Sequence, residues 1–307
     1  GPIEKDEGYD PNFSAAANIA TAPTGLLIPP SNVMITFSLV SGGTSVAALF
    51  MAGYIPGALW ALACMLVVYI YAKKAGYRSQ TKLTGKEKFN AFIQALPCLL
   101  LIVIVIGGII AGVFTATEGS VVAVVYSLLL SIYGYKSMKW KDLPEIFRAS
   151  AEMTGIIIFL IGVSSIMSWV MAFPNIPTMV SNGLLSISSN KYVILLMINI
   201  ILLVVGTFMD MTPATLIFTP IFLPVCTALG MNTIHFGIML IFNLCIGTIT
   251  PPVGTTLFVG VKVGGVKIET VFKHLLPYFF AIIVVLMLVT YIPQLSLWLP
   301  GLMGYVS

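Results

Sequence analysis

Long apolar runs fill most of the chain, and short clusters of proline, glycine and charge separate them. Residues 91–114 and 276–297 hold the roughly 20 largely apolar positions that cross a bilayer as one helix. Reading runs against breakers predicts a helix over 12–40 broken at Ile28–Asn32, a short amphipathic helix at 44–52 and a span at 54–72. Further spans are predicted at 91–114, 118–135 and 151–173, with a loop over 174–191. A helix at 192–208, a tip at Asp210–Pro213 and a returning helix at 214–228 follow. A second broken helix covers 236–262, interrupted at Thr248–Gly254. A short helix at 266–274 and a last span at 276–297 complete the order.

The cations test this layout. Lys5 lies at the start. Lys73, Lys74, Arg78, Lys82, Lys86 and Lys88 fall in one loop, and Lys136, Lys139, Lys141 and Arg148 in another. Lys262, Lys267 and Lys273 surround the last short helix. Only Lys191 falls on the other face, so 14 of the 15 Lys and Arg share one side. The positive-inside rule makes that side cytoplasmic. The count needs 192–228 to leave on the face where it enters, as a re-entrant hairpin does, and each broken helix to cross fully.

A shift of 222 positions aligns two segments. Gly25 meets Gly247, Pro29-Pro30 meet Pro251-Pro252, Gly42-Gly43 meet Gly264-Gly265, and Phe50 meets Phe272. Each segment has the order broken helix, Gly-Gly turn, short helix, long span. An odd number of crossings separates them, so the copies run in opposite directions. Inverted repeats whose broken helices meet near the midplane are a build of secondary transporters. The second copy has a hairpin and three spans ahead of its broken helix. The counterpart of Ala91 would fall at position −131 (91 − 222), so something over a hundred residues, a first hairpin among them, are expected ahead of Gly1.

Composition agrees with the class. Of 307 residues, 58% are hydrophobic and 8% charged, with mean hydropathy +1.03. A soluble domain carries about 25% charged residues. The net charge of +4 comes from the loop clusters. No basic stripe is interleaved with aromatics, which argues against nucleic acid as a partner. Cys64, Cys98, Cys226 and Cys245 sit in apolar stretches without a CxxC pair and read as small hydrophobes. No HExxH, GxSxG or GxxxxGK[ST] occurs, so neither an enzyme nor an ATP-driven pump is encoded here.

The candidate chemistry sits at the breaks. Pro-Pro in an apolar helix removes amide donors and frees the carbonyls that would have used them. Free carbonyls at membrane depth persist only where protein buries them or water reaches them. Carbonyls, hydroxyls and one carboxylate are hard oxygen donors suited to Na⁺ rather than to soft metals. For Na⁺ the candidates are Gly25, Pro29, Asp210, Asn243, Gly247, Thr248, Thr250, Val253 and Gly254. Half-helix N-termini at the same breaks favour a substrate carboxylate. The candidates for that contact are Ser31, Asn32, Asp210, Thr212, Thr250 and Pro252, with Thr24, Pro30 and Pro251 beside them. A carboxylate such as Asp210 costs about 2.5–3.5 kcal/mol at the bilayer centre on insertion scales, which a bound cation would offset. The plainer readings are back-bonding for each hydroxyl and N-capping for Asp210.

Other polar residues read as structural. Thr115 with Glu118 fits a capping box, and Glu152 sits near a helix start. His235 is placed in an outer loop and His274 beside a basic helix. Trp60, Trp140, Trp169 and Trp298 lie near predicted span ends, as interfacial anchors do.

At these residues the chain resembles a known family. The runs GTFMDMTPATLIFTPIFLP, FGIMLIFNLCIGTITPPVGTTLFV, GLLIPPSNVMI, SGGTSVAALFMAGYIPG and FTATEGSVVAVVYSLLL are similar to the large membrane subunit of tripartite ATP-independent periplasmic (TRAP) transporters. The resemblance implies an elevator-type, all-α integral membrane protein of the bacterial inner membrane, driven by Na⁺. It implies a small membrane subunit and a periplasmic binding protein as partners, and an organic acid as substrate. Ser31-Asn32 after Pro-Pro and the SGGTS run lean toward the sialic acid branch over C4-dicarboxylates. On this reading residues 1–52 belong to the transport domain. Residues 53–173 are mainly scaffold, 174–265 transport domain again, and 266–307 an arm helix and last scaffold span. A binding-protein-independent dicarboxylate symporter and a channel are the competing readings.

Overall fold

The computed structural model describes residue 4 and residues 8–77, 84–172, 176–188 and 190–305. Lys5, Arg78 and Lys82 lie outside the described residues, as do the side chains of Lys88 and Trp169. The described residues form helices and connecting turns. In chain order the α-helices are α1 (Pro11–Thr21), α2 (Thr24–Leu27), α3 (Asn32–Val40), α4 (Val46–Ala75), α5 (Gly85–Ile110), α6 (Ala116–Leu129) and α7 (Leu143–Ala172). They continue with α8 (Ile176–Ile187), α9 (Lys191–Phe208), α10 (Met211–Ala228), α11 (Thr233–Thr248), α12 (Thr255–Gly264), α13 (Ile268–Tyr291) and α14 (Gln294–Leu302). Six helices are long and apolar enough to span a membrane. The pair Pro11–Leu27 and Asn32–Val40, bent by 46°, adds a broken seventh.

The chain divides into two compact units. The smaller holds residues 79–160 and the larger the rest, with the division inside α7. In the smaller unit α5 and α6 pack together. Tyr126 and Tyr135 on the α6 side donate to the carbonyls of Pro97 and Gln94 at 2.8 and 2.6 Å. Both helices start in capping boxes. Glu118 accepts from the Thr115 amide at 2.8 Å and Thr115 Oγ1 from the Glu118 amide at 3.3 Å, as its spacing predicts. Glu87 does the same for Thr84 at 2.7 Å.

In the larger unit α11 is the hub. Every residue from Ile234 to Thr248 is buried, and α2, α3, α4, α9, α10, α13 and α14 pack on it. The packing follows the 222-residue repeat, which pairs α1 with α11, α3 with α12, and α4 with α13–α14. Thus α1 packs on α13 and α11 on α4, while α1 packs on α12 and α11 on α3. The two ends of α13 show the inversion. Near its start Thr270 donates to Asn12 in the first turn of α1 at 2.9 Å. Near its end the Val289 carbonyl accepts from His235 of α11 at 2.7 Å. So α1 begins at one face and α11 at the opposite face. The hairpin α9–α10 also begins and ends at one face, since Lys191 and Tyr192 share a cavity with Gly230, Met231 and Asn232.

Several local expectations need correction. The short helices at 44–52 and 266–274 are continuous with the spans that follow, forming α4 and α13. Gly53 separates the two predicted helices. Gly53 is instead a close-packing position, because a side chain there would collide with the Leu27 carbonyl, and α4 continues through Pro56. The last span stops at Tyr291, and α14 follows Pro293. The loop predicted over 174–191 holds α8, which packs on α10. His235 is a buried first-turn residue of α11, not a loop residue. Trp60 is no interfacial anchor. It is fully buried against Phe242, and its indole donates to the Ala20 carbonyl at 2.9 Å. Cys98 is exposed, unlike the other three cysteines.

Candidate functional site

The second break lies between α11 and α12. Thr248 sits at the end of α11, and the amide that would cap its carbonyl belongs to residue 252 in a regular helix. Residues 251 and 252 are both proline, so no such amide exists. Gly254 turns the chain into α12 with φ +38°. A β-carbon on it would fall 2.7 Å from the Thr250 carbonyl oxygen and 3.2 Å from that of Thr248. Glycine therefore keeps open a space that two carbonyl oxygens face. The hydroxyls of Thr248 and Thr250 back-bond to Cys245 and Ile246 at 2.8 and 2.7 Å. The plainer reading holds for their protons, and their lone pairs stay available.

The hairpin tip clasps this break. Gly206 near the end of α9 and Gly247 of α11 cross backbone against backbone. A β-carbon on Gly247 would overlap the main chain of Gly206, and one on Gly206 would sit 3.1 Å from Gly247 Cα. The Val253 amide donates to the Thr207 carbonyl at 3.2 Å. Asp210 occupies the N-cap position of α10, yet its side chain makes no cap bond. Its Oδ1 lies 3.5 Å from Thr255 Oγ1, at the edge of hydrogen bonding. Asp210, Pro252, Val253 and Thr255 are exposed, and Thr212 and Thr250 are half-buried.

The first break differs in one respect. Pro29 and Pro30 deprive the carbonyls of Gly25 and Leu26 of their helical donors. The buried hydroxyl of Ser31 replaces one of them, donating to Leu26 at 2.6 Å. The equivalent of Ser31 is Val253, which has no hydroxyl. The first break therefore covers a carbonyl that the second leaves free. Asn32 and Gly25 are exposed, and Pro29 is buried. Both Pro-Pro bonds are cis. The breaks approach each other where α2 packs on α11, and Cys245 Sγ lies 3.8 Å from the Pro23 carbonyl. These two residues are 222 apart, so equivalent positions of the two copies meet.

Asn243 stands apart from the remaining candidates. Its amide nitrogen is committed to Asn199 Oδ1 at 2.7 Å and to the Met239 carbonyl at 2.8 Å. Asn199 in turn donates to Thr290 at 3.0 Å. This buried network ties α9, α11 and α13 together one turn before the break. Sequence reasoning missed Gly206, Thr207 and Thr255. The signal for Gly206 was present, since a glycine in an apolar helix one turn before a carboxylate marks a close approach. Thr255 follows Gly254 directly and offers a hydroxyl.

Opposed broken helices, one clasped by a helical hairpin, define a polytopic α-helical membrane transporter of inverted-repeat build. A family model described as tripartite ATP-independent periplasmic transporter, DctM component, matches residues 1–295. "Uncharacterized protein YgiK" of Salmonella typhimurium is 52% identical over 301 residues, covering 98% of this chain and 69% of that protein. "Sialic acid TRAP transporter large permease protein SiaM" of Vibrio cholerae is 36% identical over 302 residues, covering 98% and 70%. "C4-dicarboxylate TRAP transporter large permease protein DctM" of Pseudomonas aeruginosa is 36% identical over 297 residues, covering 97% and 69%. The chain belongs to the TRAP transporter large permease family. It is a transporter permease of the bacterial inner membrane, not an enzyme.

Proposed function

We propose that the protein is a Na⁺-coupled symporter of an organic acid, of the sialic acid or C4-dicarboxylate type. It receives its substrate from a periplasmic binding protein and pairs with a small membrane subunit. What carries this reading is the clasp of the hairpin tip on the second break. There the carbonyls of Thr248 and Thr250 face a space kept open by Gly254, with the Asp210 carboxylate beside Thr255. This donor set is all hard oxygen and fits Na⁺. Inward movement of Na⁺ releases about 2.3 kcal/mol per charge per 100 mV. The Ser31-Asn32 end of the first break and Thr212 face the same region in this reading and hold the substrate acid. The hairpin and both broken helices would move as one body, as an elevator transporter requires.

The test is uptake into proteoliposomes that contain the permease and its small subunit. Labelled sialic acid and labelled succinate are compared, each with and without a Na⁺ gradient and a periplasmic binding protein. Uptake of one acid that needs both is expected. Uptake that ignores Na⁺ would overturn the coupling. Uptake without any binding protein would favour a binding-protein-independent dicarboxylate symporter.

A further inference from the structure

A cavity of about 200 Å³ opens at the face where the hairpin begins and ends. Lys191, Tyr192, Asn232, His235, Thr290 and Pro293 line it. His235 is only 2% exposed. Its Nε2 donates to the Val289 carbonyl, and its other ring nitrogen has no protein partner among the described residues. The N-termini of α9 and α11, the positive ends of two long helices, both meet the cavity.

The first copy carries different chemistry at the equivalent positions. The equivalents of Asn232, His235 and Pro293 are Asp10, Phe13 and Tyr71. There Phe13 stacks on Tyr71 with ring centroids 3.8 Å apart. The second copy replaces the stack with histidine and proline, and the acid with a neutral amide. Charge points the same way. After Glu152 the only acidic residues are Asp210 and Glu269. Asp210 lies at the far end of α9, and Glu269 in the first turn of α13. At 1.5 Å per residue, an 18-residue helix puts Asp210 about 27 Å from Lys191. No carboxylate after Glu152 therefore lies at the face of Lys191.

We propose that this cavity binds a carboxylate group. Lys191 supplies the charge, the positive ends of α9 and α11 add their dipoles, and His235 walls the floor. The volume admits a small monocarboxylate or one acidic side chain, and is below the roughly 300–1,000 Å³ of ordinary ligand pockets. The site is thus separate from the transported acid, and does not rest on the symport reading.

Saturation-transfer NMR on the purified protein in detergent tests it, without Na⁺ gradient or transport substrate and at constant ionic strength. The probes are acetate, N-acetyl-glutamate N-methylamide, and acetamide as the uncharged control. Saturable transfer to acetate is expected, with acetamide silent. Lys191→Gln should weaken it at least tenfold at an unchanged melting midpoint, and His235→Phe, which installs the first copy's residue and gives up the hydrogen bond to the Val289 carbonyl, should abolish it. Acetate alone binding identifies a free anion as ligand, whereas equal binding of the capped glutamate identifies an acidic side chain of a docked protein. Acetamide binding as well as acetate, or an unaffected Lys191→Gln protein, would overturn the proposal.

Discussion

Gly247→Ala probes the clasp most directly. Elsewhere in a helix the change would help, since alanine is favoured over glycine by about 1 kcal/mol. Here the new methyl would overlap the Cα, carbonyl carbon and carbonyl oxygen of Gly206. These are main-chain atoms, so no rotamer change relieves the overlap. Overpacking typically costs about 1–3 kcal/mol, and a backbone-to-backbone clash belongs at the upper end. After the propensity gain the net loss is about 2 kcal/mol. On the scale of domains of 150–250 residues that lowers the melting midpoint by roughly 4–8 °C. The repeat supplies the control. Gly25 is the equivalent position, and a β-carbon there meets nothing within 4 Å. Gly25→Ala should therefore melt at or slightly above the wild-type midpoint. Thermal unfolding followed by size-exclusion or intrinsic fluorescence reads both variants. A Gly247→Ala protein as stable as Gly25→Ala would refute the backbone crossing of α9 and α11.

Other outcomes follow from the same geometry. Asp210→Asn should abolish the Na⁺ dependence of uptake while leaving the melting midpoint within about 2 °C, because its side chain caps nothing; retained Na⁺ dependence removes Asp210 from the ion seat. Asn199→Leu takes from Asn243 one of its two bonds and from Thr290 its donor, and should cost about 1–3 kcal/mol. The double variant Asn199→Leu, Asn243→Leu should cost less than the sum of the singles, and strict additivity in a melting cycle would count against the network. In a background without native cysteines, Lys191→Cys should react with an impermeant maleimide from outside the cell. Lys74→Cys and Lys267→Cys should react only after permeabilisation, and labelling of all three from one side would reverse the assigned topology.

The broken helices, the hairpin and the inverted order were legible because each leaves a chemical mark. Pro-Pro deletes amides, and Lys and Arg crowd one side of the membrane. Gly53 misled because a breaker is also a packing residue, and nothing local shows that it makes room for the Leu27 carbonyl. His235 misled for a related reason: Asn232 reads as a loop residue until it is seen capping α11 through the Ile234 amide at 2.8 Å. Asn243 sits one turn before the break, but its commitment to Asn199 depends on a helix forty-odd residues earlier. Gly206 signalled a close neighbour without saying which. The sequence reports what a backbone loses, and the tertiary packing decides who takes it up.

The oxygen donors at the second break include two that belong to the main chain, so they are carried by every residue type. Replacing Thr248 or Thr250 with another amino acid would keep the carbonyls in place, provided that Gly254 and Gly247 stay small. A seat of this kind is insulated from most point mutation, while exposed side chains nearby such as Asn32 are free to drift. On the Na⁺-symport proposal, lineages could then change what they carry and inherit the coupling unaltered.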